Sequence, residues 1–380
     1  MRVLHVCDAI DPAVGGGTAE RTFQLAIALV RAGVACTVLA TNSGVTKARM
    51  EDMKGVELAL VPSLLRRFYV PRISSARIDE LVSQADIVHL TGHWSILGAR
   101  VAMAARRLGR PYVYCPAGSL RIFGRSALLK KAFNRLVGRR IVRSASRCLA
   151  VTALEREQFY EYGVTDSQIF LLPNGVNPAE RKGSSGERFR RLYDLEHNAL
   201  LLLFLGRLSP IKGPDLLLEA FCSLAGRFPQ AHLIFAGGDE ELGGKLRAKA
   251  RDCEVGSRIH FVGFLGGIAK HDALEGVDLL VVPSRQEAMS LVALEAGLAG
   301  TPVLLTDRCG FDDVELVGGG RVASVNVESI AACLEKMLNE PVMLESMGAR
   351  LKQLVLERYT WDGLTRDCLA LYREIISESR

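Results

Sequence analysis

Short apolar runs alternate with stretches of helical period from one end of the chain to the other. In the first half the runs are Val3–Cys7, Ala35–Ala40, Val56–Val61, Asp86–Leu90, Tyr112–Cys115 and Cys148–Val151. Helical spacing marks Ala19–Arg31, Ile96–Leu108 and Ser126–Arg140 between them. The second half repeats the scheme, with strands at Leu200–Leu205, His232–Ala236, Ile259–Val262, Leu279–Val282 and Val303–Leu305. Its helices are Asp215–Arg227, Glu241–Arg251, Leu291–Leu298 and Val327–Asn339, and two more, Pro341–Glu357 and Trp361–Ser377, close the chain. Continuous apolar strands joined by helices predict parallel sheets covered on both faces. The pattern breaks at Leu171–Pro178 and restarts after Gly183-Ser184-Ser185-Gly186. Two doubly wound α/β domains facing across a cleft are therefore predicted, at 1–175 and 176–360. The last helix, near 361–380, is expected to pack back on the first. In such sheets ligands sit at the carboxyl ends of the strands.

Length and composition agree with this division. A chain of 380 residues, 49% hydrophobic and 24% charged, is too long for one core and too apolar for disorder. No window approaches the roughly 18 uninterrupted apolar residues of a membrane span. The start reads as a buried strand without the features of a signal peptide. Nine scattered cysteines, an odd number, argue against a disulfide framework and for a reducing cytoplasm. The charge is uneven: residues 1–175 hold about 24 Lys and Arg against about 13 acids, and residues 176–380 about 24 against about 29. Something anionic is expected to meet the first half.

Three segments carry candidate chemistry. Gly15-Gly16-Gly17 follows the first strand and precedes a helix, so bare amides could approach a phosphate or a sugar. The dinucleotide pattern is not met, because Glu20 stands where the last glycine belongs. Gly206-Arg207-Leu208-Ser209-Pro210-Ile211-Lys212-Gly213 sets two cations at a strand's carboxyl end, which suits a diphosphate. In Ser284–Ala296 a nearly apolar helix starts after Ser290, which can cap it and leave the amides of Leu291 and Val292 for a ligand. Glu287 and Glu295 bracket that start. Glu295 interrupts the apolar helix, so it wants hydroxyls or a cation, a neighbouring Arg being the structural alternative.

The E-x7-E run at Glu287 and Glu295, after G-R-L-S-P-x-K-G at Gly206–Gly213, resembles glycosyltransferase family 4. Leu172-Pro173-Asn174-Gly175-Val176, Phe261-Val262-Gly263, Gly300-Thr301-Pro302-Val303 and Tyr359-Thr360-Trp361 agree in order and spacing, so the resemblance covers essentially the whole chain. It implies the GT-B fold and a retaining, nucleotide-sugar-dependent hexosyltransferase. Arg207, Lys212 and Glu287 would be catalytic, the two cations holding the donor diphosphate and Glu287 the transferred sugar. Gly16, Gly17, Leu291 and Val292 would also meet the donor, as would Met289 and Ser290, which stand where the family often has Phe-Gly. Glu295 would accept the ribose hydroxyls, and the base would lie near Phe264 and Leu265. On the acceptor side the candidates are Arg21, His93 and Ala117.

Two departures from the family pattern matter. The frequent P-H-G reads Cys115-Pro116-Ala117-Gly118, so only a backbone carbonyl remains at 117. The frequent H-x-H-G-x-W reads His89-Leu90-Thr91-Gly92-His93-Trp94, and a surface-loop role for His93 competes with an acceptor role. No paired Asp/Glu motif for a metal is evident, so no cofactor and no metal are expected.

Between Arg121 and Arg147 lie nine Lys or Arg and no acid, interleaved with Ile122, Phe123, Leu128, Leu129, Phe133, Leu136 and Val137. An anionic membrane surface suits this better than nucleic acid, for which no module is present. The expected role is polysaccharide or glycoconjugate synthesis by a cytoplasmic enzyme, peripheral to the membrane, acting on a glycan or lipid-linked glycan. A nucleotide-sugar 2-epimerase and an inert nucleotide-sugar-binding subunit are the rivals.

Overall fold

A computed structural model describes residues 1–65, 69–122, 126–196, 198–239 and 241–379. It divides into two compact units, Met1–Gly175 with Trp361–Arg380, and Val176–Thr360.

The first unit holds seven parallel strands: β1 (Arg2–Val6), β2 (Ala35–Thr41), β3 (Glu57–Val61), β4 (Ile87–Thr91), β5 (Tyr112–Cys115), β6 (Arg147–Ala150) and β7 (Ile169–Leu171). Their order is β3-β2-β1-β4-β5-β6-β7. The direction of winding reverses between β1 and β4, which pair from Val3↔Ile87 to Val6↔Leu90. All five residues of β4 and all four of β5 are buried. That is the physical reason these runs lack polar alternation. The closing helix Trp361–Glu378 packs on the helix Pro12–Arg31, and Arg147 reaches Glu374 at 2.8 Å.

The second unit contains β8 (Leu200–Leu205), β9 (Ala231–Ala236), β10 (Ile259–Gly263), β11 (Leu279–Val282), β12 (Val303–Thr306) and β13 (Gly320–Ala323), in the order β10-β9-β8-β11-β12-β13. Here the reversal falls between β8 and β11, which pair at Leu279↔Leu202 and Leu280↔Leu203. Leu202, Phe204, Leu217, Phe221, Phe235 and Leu334 sit in the core of this unit.

Several sequence expectations need correction. The edge strands β7 and β13 were not predicted. Three residues, and the polar Gly-Arg start of Gly320–Ala323, leave little apolar signal. The helices Lys47–Asp52, Ser75–Gln84, Leu154–Glu161, Gly186–Leu192 and Gly267–Gly276 were also missed, being short or largely polar. The glycine run sits at a kink between a first helical turn and the long helix that follows. It lies within the helix Pro12–Arg31, capped by Asp11 and broken at Gly16, where φ 59 and ψ −145 interrupt the helical path. The basic stretch is helical over Ala127–Phe133, turns once as a π-helix over Asn134–Gly138, and continues to Arg143. Phe123 and Arg125 of that stretch lie outside the described residues.

Candidate functional site

Each sheet has one switch point, and the candidate chemistry lies at both. In the second unit the chain leaves β8 through Gly206 and Arg207, makes a 3-10 turn at Pro210–Lys212, and enters the next helix at Gly213. Gly213 has φ +67, and a Cβ there would lie 2.1 Å from the carbonyl oxygen of Pro283. Only glycine allows this approach, which brings the Lys212 turn onto the segment that follows β11.

Across that contact Lys212 pairs with the Glu287 carboxylate, which also accepts from the Ser284 hydroxyl at 3.0 Å. Glu287 donates its own amide to the Arg308 carbonyl at 2.9 Å. Arg285 forks onto Asp215 at 2.9 and 2.6 Å, a second tie between the same two loops. Burial alone would raise the Asp215 carboxyl, but the Arg285 bonds and charge outweigh it and hold it below its usual range. Arg207 is exposed on the loop after β8. A cation, a carboxylate and a forked ion pair are thus fixed at one strand-end crevice.

Next to them the helix Leu291–Ala299 begins. Ser290 caps it, accepting from the Ala293 amide at 3.4 Å. As first-turn groups, the amides of Leu291 and Val292 have no intrahelical carbonyl to bond. The Ser290 side chain is committed to the cap and the Met289 side chain is buried, so either residue can meet a ligand only through backbone. Among the described residues Glu295 does not pair with an Arg. Its partner is Lys270, at 2.6 Å, from the helix Gly267–Gly276. Leu265 is half-buried beside Phe264, which is exposed.

The first unit buries two of the acceptor candidates. Arg21 is 1% exposed and donates at 2.8 Å to the carbonyls of Leu172 and Pro173 and to Asn174 Oδ1. Its guanidinium is thus tied to the chain leaving β7 through both terminal nitrogens, while Nε is left without a hydrogen-bond partner among the described residues. His93 is neither on the surface nor open. It hydrogen-bonds Tyr114 at 2.5 Å and Asn134 at 2.6 Å, with Tyr162 at 3.3 Å. Burial pushes its imidazole down to about 4, against the opposing Asn134 bond, so it stays neutral near pH 7. His89 is likewise internal, bonded to Tyr372 at 2.5 Å.

Ala117 stands just past β5 in an unusual backbone conformation. It has φ +48, rare for a residue with a Cβ, at the carboxyl end of β5. The next amide, Gly118, donates to the buried Glu155 carboxylate, which also takes the Val151 amide at 2.7 Å. Glu155 therefore holds this turn. Gly16 meets nothing within 4 Å of where a Cβ would stand, so its backbone is open to approach.

Two comparisons of whole domains bear on identity. Residues 186–354 match the model for Glycosyl transferases group 1, and residues 16–175 match the Glycosyl transferase 4-like domain. A D-inositol 3-phosphate glycosyltransferase of Nocardiopsis dassonvillei is 30% identical, over 97% of this chain and 92% of its own length. The chain belongs to the glycosyltransferases. An uncharacterized glycosyltransferase of Methanocaldococcus jannaschii is 25% identical over 98% of both proteins. Among solved structures, Anabaena Alr3699/HepE in complex with UDP superposes with a TM-score of 0.80 at 18% identity, covering 98% of this chain and 100% of the other. The fold class is GT-B, with two Rossmann-like sheets.

One residue of this glycosyltransferase escaped the sequence reading. Asp8 follows β1 at the switch point of the first sheet, and Ser95, which follows β4, donates to its Oδ1 at 2.6 Å. Ser95 is itself fixed by accepting the Gly98 amide at 2.8 Å, as cap of the helix Ile96–Arg107. No ion pair to Asp8 is present among the described residues. Burial pushes its carboxyl up to about 6, a rise that the Ser95 bond opposes. A carboxylate kept without a cation at a strand end is a candidate functional group. Its position directly after the first apolar run was the available signal.

The sign of the pH effects follows from the raised value. If Asp8 acts ionised, turnover should fall as pH drops through about 6, and Asp8→Asn should remove that limb from the pH–rate profile. The folded carboxyl lies above its unfolded value, so its contribution to stability worsens as pH rises from about 4 through 6. Asp8→Asn should therefore melt above wild type at pH 8, with the gap closing near pH 4. A profile unchanged by Asp8→Asn would remove the assignment.

Proposed function

We propose that this glycosyltransferase moves a hexose, with retention, from a nucleotide diphosphate donor to a hydroxyl of a glycan or lipid-linked glycan. The observation that carries the reading is the joining of Lys212 and Glu287 at the β8/β11 switch point, beside a capped helix start. In this reading Arg207, Lys212 and the amides of Leu291 and Val292 take the donor diphosphate, with Gly16 and Gly17 supplying further bare backbone. Lys212 is held by Glu287 until the diphosphate competes for it, which frees the carboxylate for the sugar hydroxyls. Glu295, steadied by Lys270, takes the ribose, and backbone at Leu265 meets the base. The backbone of Met289 and Ser290 lies along the sugar side. Uridine is the first base to test, since the Anabaena neighbour is a UDP complex.

As the glycosidic bond to the diphosphate breaks, the sugar gains oxocarbenium character and negative charge builds on the leaving oxygen. Fixed cations and amides stabilise that charge more than the ground state, which is what accelerates the step. The leaving diphosphate oxygen accepts the proton of the incoming hydroxyl, which Asp8 orients, and the Ala117 carbonyl faces the cationic carbon. The acceptor reading draws on the D-inositol 3-phosphate glycosyltransferase relative only for its class, a polyol hydroxyl.

Unfolding monitored with UDP-, GDP- and ADP-glucose tests the donor. A ligand held only by the folded state at a hundred times its Kd adds about 2.7 kcal/mol, so one of the three should raise the melting temperature by several degrees. Glu287→Ala should abolish that donor's turnover, and EDTA should leave wild-type turnover unchanged. No shift with any of the three sugars would sink the donor assignment. Loss of activity in EDTA that Mg or Mn restores would overturn the metal-independent step.

A further inference from the structure

We infer that the outer face of the 127–143 segment is a membrane-docking surface whose leucines enter the headgroup region of an anionic bilayer. The inner side of this segment is already satisfied. Phe133 and Val137 pack against the core of the first unit, and Ile141 and Val142 are buried. The outer side is not the polar face that such a helix normally shows to water. Leu128 is 82% exposed, Leu136 81% and Leu129 59%. Leu128, Ala132 and Leu136 recur four residues apart, so they follow one line along the outside.

The charges beside that line are as unusual as the leucines. Lys131, Arg135, Arg139 and Arg140 are exposed, and among the described residues none of them forms an ion pair with a carboxylate. Elsewhere on this protein exposed cations do pair: Arg77 with Glu80, Arg107 with Asp79, Arg227 with Glu335 and Lys249 with Glu219. Here the carboxylates have been left out over the whole segment.

Each feature alone has other uses, and their overlap selects the partner. A nucleic acid would take the cations and leave three leucines in water. An apolar protein groove would take the leucines and give no reason to exclude acids. An anionic bilayer uses both, since headgroups attract the cations while aliphatic side chains gain by leaving water for the acyl boundary. The long Lys and Arg stems can lie along that boundary with their charges at the headgroups. This surface goes beyond the sugar-transfer reading and does not depend on it. If the acceptor is lipid-linked, the same surface brings the first unit to where the acceptor resides.

The test is flotation of the full chain with vesicles of phosphatidylcholine containing one third phosphatidylglycerol, beside pure phosphatidylcholine, at low and high salt. Wild type should float with the anionic vesicles only, and less as salt screens the cations. Leu128→Ser with Leu136→Ser should weaken vesicle binding by about tenfold or more. Lys131→Glu with Arg135→Glu and Arg139→Glu should weaken it at least as much. These side chains are exposed, so melting temperatures should stay at the wild-type value; if the serine pair melts lower, Leu136→Ala gives the same comparison. Hydrolysis of a soluble nucleotide-sugar should be unaffected by either set, which separates failure here from failure of the donor reading. Absence of wild-type flotation, equal binding to neutral vesicles, or a leucine variant that floats like wild type would each overturn the inference. The last outcome, with capture by heparin, would leave a purely electrostatic face.

Discussion

Arg207→Ala and Lys212→Ala are each expected to lower turnover by about a hundredfold or more while leaving the protein folded. That factor corresponds to about 2.7 kcal/mol of lost transition-state stabilisation, the scale of one fixed donor facing developing charge in a dry site. The two variants should differ in stability. Arg207 is exposed, so its removal should leave the melting temperature where it was. Lys212 neutralises Glu287, whose side chain is only 10% exposed, so Lys212→Ala strands a largely buried carboxylate that keeps the Ser284 hydroxyl as a side-chain partner. The double variant Lys212→Ala with Glu287→Gln should recover the stability and not the rate. Single-turnover rates beside thermal melts would check both points. Near-normal rates in either single variant would refute the diphosphate assignment.

Arg21→Ala should be among the most destabilising single changes in the first unit. Its guanidinium serves two carbonyls and an amide oxygen at 2.8 Å, and it lies 5.7 Å from the centre of the Trp361 ring. Removing it leaves buried acceptors without donors and an empty volume where the chain turns from β7 into the next unit. The expected loss is about 3–5 kcal/mol, a fall of roughly 10 °C in melting temperature for a domain of this size. Arg21→Lys should rescue little, because one ammonium cannot span the same three oxygens. If Arg21→Ala instead melts like wild type and only raises the KM for acceptor, the clamp is wrong and the original acceptor assignment stands.

Much of the fold was legible locally. The strands β1, β2, β4, β5, β8, β9, β11 and β12 are buried on both faces, and a run such as Leu-Leu-Leu-Leu-Phe-Leu at Leu200–Leu205 has no other use. The break near Leu171–Pro178 was visible because Pro, Asn and Gly cannot extend either element. In the candidate site the cap at Ser290 was legible for the same reason. Its hydroxyl acts on an amide three residues away, a distance the sequence displays.

Partners far apart in the chain were not legible. Lys212 meets Glu287 across 75 positions, Lys270 meets Glu295 across 25, and Ser95 meets Asp8 across 87. Composition can say that a carboxylate in an apolar helix needs a cation, but it cannot say which one the fold delivers.

Taken alone, the sequence determined the buried strands of both sheets, though not the edge strands β7 and β13, as well as where one sheet ends and the next begins and which half carries the positive charge. These follow from side-chain chemistry over a few residues. Whether a polar residue at a strand end is a ligand or a clamp was decided only by the tertiary structure. Arg21 and His93 read like site residues, yet packing buries both against protein oxygens and hydroxyls, with only Arg21 Nε of their side-chain nitrogens left without a partner among the described residues. Asp8 was passed over, yet packing gives it a serine and, among the described residues, no cation, and burial then raises its carboxyl. The physical reason is common to all three. A side chain's role depends on which groups remain to satisfy its charge and hydrogen bonds once water is excluded, and those groups are chosen by the topology of the sheet rather than by neighbours in sequence.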